Sequence, residues 1–241
     1  MLGTAPPVRE TPRPNRTPMS AFDRVTESWG DLKYMDLPRA TYLRDLVVKN
    51  DLKDLLELGF YKGKSSAYLA GMLEDLGRGH LVTMDRPSAR KQQPEINEVL
   101  STVGLSHRVT PIFAHRSFTW ELGKMLEQTP RPQFDFCYLD GGHTWDVTGF
   151  GFLLVDMMLK PGGIILLDDL DWTIARSPQA KTEAGQRTYA AYSDDEKAAK
   201  GVRMTFEHIA EHLGYDVEEV PEFQWGIARK RAPKKGLFGR G

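Results

Sequence analysis

Apolar and polar positions alternate along this chain in two rhythms, short apolar runs and helical-spaced segments, and the two take turns. Leu43, Leu46 and Val47 fall at helical spacing, so residues 20–50 read as helical, with Asn50 as the stop. Asp54–Leu58 is a short apolar strand that ends at Gly59, and Ser65–Leu76 is a helix with Gly77 past its end. His80–Asp85 is the second strand, 94–103 a helix and Arg108–Phe113 the third strand. A helix over 117–127 precedes the strand Phe134–Asp140, and a helix over Asp146–Leu159 is stopped by Pro161-Gly162-Gly163. The strand Ile164–Asp168 follows. Beyond Asp169 the pattern loosens into a polar stretch, 171–193, long enough to act as a lid or binding loop. Ser193–Glu196 is a capping box, and Val202, Phe206, Ile209 and Leu213 give the next helix one apolar face up to Gly214. Asp216–Val220 and Gln224–Ala228 are the last strands.

Strand–helix–strand alternation predicts an α/β fold: a Rossmann-like, doubly wound, mostly parallel seven-stranded sheet with helices on both faces. A single domain over 19–230 is expected, between an arm (1–18) rich in Pro and Arg and a basic tail (231–241).

Composition narrows the class without choosing the chemistry. The 241 residues suffice for one large domain, and 40% hydrophobic with 27% charged residues is ordinary for a globular protein. A net charge of −1 supplies no field toward nucleic acid or membrane, and no apolar run has the length of a membrane span. The one cysteine, Cys137, lies in an apolar strand and suits a reducing cytoplasm.

Chemistry concentrates at the strand ends. Asp140 closes one buried strand, and Asp168 with Asp169 closes the next. Side by side they converge three negative charges, which is costly unless a cation sits among them. Oxygen-only ligands favour a hard divalent ion such as Mg2+. His143 stands three residues after Asp140, as a base or as a cap. Asp171 is a spare carboxylate that could replace Asp169, and Trp145 reads as core or as a stacking partner for the cofactor. Phe22, Trp29, Tyr34 and Met35 read as an apolar wall near the entrance or as core.

The turn Leu58-Gly59-Phe60-Tyr61-Lys62-Gly63-Lys64-Ser65 joins a strand to a helix. Glycines there permit positive φ and close backbone approach, and the new helix offers free N–H groups. A phosphate loop needs four residues between its glycines, and here there are three. The dinucleotide fingerprint fails because position 61 is Tyr. An adenosyl-methionine turn fits: Glu57 precedes it, and Asp85 at the next strand end suits a ribose diol.

The run Leu55-Leu-Glu-Leu-Gly-Phe-Tyr-Lys-Gly-Lys-Ser-Ser66 resembles motif I of class I S-adenosylmethionine-dependent methyltransferases. Tyr138-Leu-Asp-Gly-Gly-His-Thr-Trp145 and Leu159-Lys-Pro-Gly-Gly-Ile-Ile-Leu-Leu-Asp-Asp169 resemble the metal-dependent small-molecule O-methyltransferases, nearest the macrolide-sugar group and more distantly the catechol and caffeoyl-coenzyme A enzymes. The resemblance covers roughly residues 35–230. It implies a Mg2+-assisted methyl transfer to a hydroxyl of a diol, catechol-like ring or sugar. It implies metal ligands Asp140, Asp168 and Asp169, and His143 as base where the catechol enzymes carry lysine. It places S-adenosylmethionine against Glu57, Gly59, Tyr61, Gly63, Ser65, Asp85 and Asp140, with Ala114 and His115 framing the adenine. The partners it implies are a small-molecule acceptor and a second copy in a homodimer. A cofactor-binding accessory protein without activity is the alternative.

Overall fold

The computed structural model describes residues 19–232, so the arm 1–18 and most of the basic tail lie outside the described residues. Seven strands, β1 (Asp54–Leu58), β2 (His80–Asp85), β3 (Val109–Phe113), β4 (Phe134–Leu139), β5 (Leu159–Leu167), β6 (Asp216–Val220) and β7 (Trp225–Arg229), form one sheet in the order β3-β2-β1-β4-β5-β7-β6. The first five are parallel, and β7 runs antiparallel to both β5 and β6. This is the Rossmann-like sheet expected from the alternation.

Period-two alternation decides which helices cover which face. Leu55, Phe136, Tyr138, Ile164 and Leu166 pack with α1 (Ala21–Trp29), α2 (Leu37–Lys49), α3 (Lys64–Asp75) and α4 (Ile96–Thr102). Leu56, Leu58, Cys137, Leu139, Ile165 and Leu167 pack with α5 (Phe118–Leu126), α6 (Trp145–Asp156) and the helix that begins at Gly201. Between them, α7 (Glu183–Thr188) and α8 (Asp194–Ala198) interrupt the polar stretch after β5. The predicted capping box at Ser193 and Glu196 starts α8. The last helix runs from α9 (Gly201–Met204) into a π-helical turn, Thr205–Ala210.

Two local readings change. The helical region 20–50 is two helices, because Gly30 ends α1 and Asp36 restarts the chain, its carboxylate accepting the Arg39 N–H at 3.0 Å. Pro38 stands in the first turn, where its missing N–H costs nothing. The helix before β5 stops at Asp156, and Pro161-Gly162-Gly163 belongs to the strand. Gly162 donates to Lys230 O at 2.9 Å and Gly163 O accepts from Lys230 N at 2.9 Å, so pairing with the segment after β7 keeps the stretch in the sheet, with Gly162 at φ +81°. Among the described residues no helix is long and apolar enough to cross a membrane.

Candidate active site

Sheet order reverses direction between β1 and β4, and ligands of such folds bind outside the carboxyl ends of the strands at that switch point. One extra backbone bond beyond each strand brings the chemistry to a common level. Asp140 N donates to Leu58 O at 2.9 Å, Asp168 N to Leu139 O at 3.0 Å, Gly59 N to Met84 O at 2.7 Å and Ala114 N to Asp85 O at 2.7 Å. The strand-end acids and the glycine turn therefore share one edge.

Gly59 has φ +103°, and a Cβ there would lie 2.3 Å from Asp140 O. The turn and the acid loop touch backbone to backbone, and only glycine permits it. Tyr61, His143 and Asp169 are non-glycine residues with positive φ, at 49°, 42° and 58°. Such conformations concentrate where surrounding structure over-determines the backbone for function.

Asp140, His143 and Asp169 offer ligand atoms that all lie within 4.8 Å of one another. His143 Nε2 stands 3.5 Å from Asp140 Oδ1 and 3.8 Å from Asp169 Oδ2, and it is buried without a hydrogen-bond partner. The His143 ring lies 5.3 Å from the Trp172 ring, tilted by 33°. Asp168 faces elsewhere. Its carboxylate accepts from Tyr138 Oη, from Trp225 Nε1 at 2.7 Å and from Asp169 N at 2.8 Å. Asp171, the spare carboxylate, is committed to Lys200 at 2.9 Å and Arg203 at 2.8 Å.

The electrostatics are those of crowded negative charge. The Asp140 side chain keeps 31% of its surface open but lies in a recess dense with protein. That desolvation, with Asp168 beside it, pushes its pKa up to about 8. Burial and Asp169 raise Asp168 as well. Burial alone would lower His143, but Asp140, Asp169 and Asp168 outweigh it and hold the imidazole above its ordinary value.

This donor set fits a divalent cation. Octahedral coordination at about 2.1 Å sets neighbouring ligand atoms about 3 Å apart and opposite ones about 4 Å apart. The separations around His143 Nε2 fall within that span, and this buried nitrogen has no hydrogen-bond partner among the described residues, so it could take a place in such a ligand set.

The cofactor side is built around the turn. α3 starts at Lys64 with no side-chain cap on its first N–H groups, and Gly63 before it has φ +89°. Asp85 Oδ2 accepts the Phe60 and Tyr61 N–H groups at 3.1 and 2.6 Å, so the expected ribose acid also pins the turn. Glu57 is fully buried, and its Oε2 accepts from Ser66 Oγ and from Thr83 Oγ1 at 2.5 Å. Its Oε1 has no partner, and burial pushes its pKa up to about 7. Glu57 thus sits beneath the turn, tying α3 to β2. Ser65 is nearly buried in the first turn of α3. Ala114 is buried one residue past β3, and His115 beside it is exposed. Trp145, expected in the core, is 42% exposed at the start of α6. Of the proposed entrance wall, Phe22 and Met35 are core, while Tyr34 stands exposed. Lys64 points away from the site, so the phosphate-loop reading loses its cation.

Sequence reasoning missed Tyr138 and Trp225, which turn Asp168. Alternation would have placed Tyr138 on the same strand face as Asp140. Trp225 arrives through the antiparallel register of β7, which no local pattern encodes.

Residues 56–170 match the family model described as a methyltransferase domain. Among curated proteins none matches the chain. Solved structures share its fold. The O-methyltransferase from Bacillus cereus in complex with S-adenosylhomocysteine is 17% identical, with 90% of this chain and 93% of that one covered at a TM-score of 0.59. The Streptomyces achromogenes O-methyltransferase involved in tomaymycin synthesis, in complex with S-adenosylmethionine, is 18% identical, with 90% and 92% covered at 0.58. The S-adenosylhomocysteine-bound methyltransferase of Podospora anserina is 19% identical, with 88% and 86% covered at 0.59. The matched segment is thus a methyltransferase domain, and the fold around it is the one these O-methyltransferases share.

Proposed function

We propose that the chain transfers the methyl group of S-adenosylmethionine to a hydroxyl of a small molecule with neighbouring oxygens, a diol, a catechol-like ring or a sugar. A divalent cation is held at Asp140, Asp169 and His143, with Asp168 fixing the strand end behind them. The observation that carries this reading is the convergence of those three ligand atoms within 4.8 Å, next to the glycine turn. The O-methyltransferases of the same fold, one of them serving a natural-product synthesis, support the acceptor class. When bound, the cation lowers the pKa of a hydroxyl it touches. The imidazole in the set admits Mn2+ or Zn2+ beside Mg2+.

The residues do the rest. The turn from Gly59 to Gly63 brings backbone close to the cofactor, and Asp85 stiffens it. Trp172, stacked on His143, walls the acceptor side and limits water. Nε2 of His143 cannot both ligate the ion and take the acceptor proton, and its position facing two carboxylates favours ligation.

Calorimetry of S-adenosylmethionine binding, with Mg2+ and with EDTA, on wild type and Asp140→Ala tests this. Micromolar cofactor binding and a metal site lost in the variant are expected. Cofactor binding with no metal site in wild type would overturn the metal reading alone. No cofactor binding would overturn both.

A further inference from the structure

Lys64 opens α3 immediately after the glycine turn, and only 4% of it is exposed. Its ammonium donates to Gly30 O at 2.8 Å and Leu32 O at 2.6 Å, at the carboxyl end of α1. A cation there meets the negative end of the helix dipole and carbonyls that have no intrahelical donor. Burying an ammonium on two neutral carbonyls is still costly, and that desolvation lowers its pKa. A methionine would fill the same space without that cost, so the charge has a task.

The two carbonyls belong to the connection between α1 and α2, which ends in two consecutive left-handed residues, Tyr34 at φ 65° and Met35 at φ 42°. Such a pair persists only when held from both sides. Met35, 6% exposed, anchors one side in the core, and Lys64 anchors the other. Tyr34 is 74% exposed, yet its ring meets Tyr61 edge-on at 5.6 Å and 80°. Tyr61 belongs to the glycine turn, and its N–H is on Asp85. One run of contacts therefore joins Lys64, the 30–36 connection, Tyr34, Tyr61 and Asp85.

We propose that Lys64 is a positioning residue: it holds the 30–36 connection so that Tyr34 closes over Tyr61 and forms an aromatic rim that retains the cofactor. This rests on the S-adenosylmethionine reading above. Lys33, exposed in the same connection, gives an independent reporter, because trypsin cuts after it.

The test measures S-adenosylhomocysteine affinity by calorimetry in EDTA, together with the rate of tryptic cleavage after Lys33. In Lys64→Met, about tenfold weaker binding and about tenfold faster cleavage are expected, with Lys64→Arg restoring much of both. Tyr34→Ala should weaken binding by a similar factor with an unchanged unfolding midpoint, which a merely structural role would not produce. Lys64→Met with wild-type affinity and cleavage rate would overturn the proposal. Should that variant fail to fold, Tyr34→Ala decides, and affinity within twofold of wild type would overturn it. The two failures separate: wild-type protein that binds no S-adenosylhomocysteine overturns the cofactor reading, whereas normal binding in both variants overturns only the rim.

Discussion

The two ends of the central sheet each collect aspartates, and they treat them in opposite ways. At the amino ends of β1 and β4, Asp54 and Asp135 share Lys160, whose Nζ is 2.9 Å from Asp135 Oδ1. Burial pushes Asp135 upward, but the Asp54 N–H, Lys160 and the Lys53 N–H outweigh it and hold its pKa below the usual range. Lys160 is raised in return, against its own desolvation. At the carboxyl ends, Asp140 and Asp168 are raised, with a histidine in place of a lysine. The same side chain on the same sheet moves in opposite directions because one cluster contains its cation and the other leaves room for one. Asp171, three residues past Asp168, follows the first pattern, since Lys200 and Arg203 hold it low. A closed cluster contributes stability; an open one keeps the mutual repulsion of its carboxylates.

The comparison can be broken most forcefully by removing charge from the open end. Asp140→Asn is expected to lower turnover at least about a thousandfold and to abolish divalent-ion binding, while the metal-free protein becomes more stable by about 1 kcal/mol, a rise of roughly 2–4 °C in midpoint for this size. Activity assays and EDTA melting curves check both halves, and a variant less stable than wild type without metal would show that the open cluster carries no repulsion.

Next in size is the contact that holds the open end together. Gly59→Ala forces a Cβ to within 2.3 Å of Asp140 O at a positive φ. A cost of about 2–4 kcal/mol is expected from strain and overpacking, with cofactor affinity falling alongside. Denaturant unfolding and calorimetry read the two effects.

The smallest effect belongs to the closed end. Lys160→Met should cost about 1 kcal/mol, discounted for partial exposure, and leave methyl transfer unchanged. Because Asp135 is held below the usual carboxylate range, its contribution is present above about pH 4 and is lost as pH falls below that. The stability gap between wild type and variant should therefore be full at neutral pH and shrink as pH falls below about 4. Identical curves would mean that the backbone N–H donors of Lys53 and Asp54 suffice without the lysine.

Much of this was legible in the chain itself. Strand limits such as Asp54–Leu58, His80–Asp85 and Asp216–Val220 follow directly from apolar runs bounded by polar residues. The acids appear at strand ends in the sequence, and so does the glycine turn. Where local signals mislead, a distant partner intervenes. Pro161-Gly162-Gly163 reads as a helix stop, but the segment after β7 pairs with it. Trp145 reads as core because it is large and apolar, yet it lies where α6 emerges at the sheet edge. Lys64 follows a turn one residue too short for a phosphate loop, and nothing local shows where its ammonium goes: the carbonyls of Gly30 and Leu32 take it.

By itself, then, the sequence determined the element types, the parallel sheet and the inventory of acids at its carboxyl edge, because periodicity and turn chemistry are local properties of the chain. Only the tertiary structure decided which acids face one another. β7 delivers Trp225 to Asp168, and its indole N–H binds that carboxylate at 2.7 Å. The left-handed turn at His143 carries its imidazole between Asp140 and Asp169. Those assignments depend on register between strands far apart in the chain, and a side chain's direction over a few ångströms is set by its partners in space.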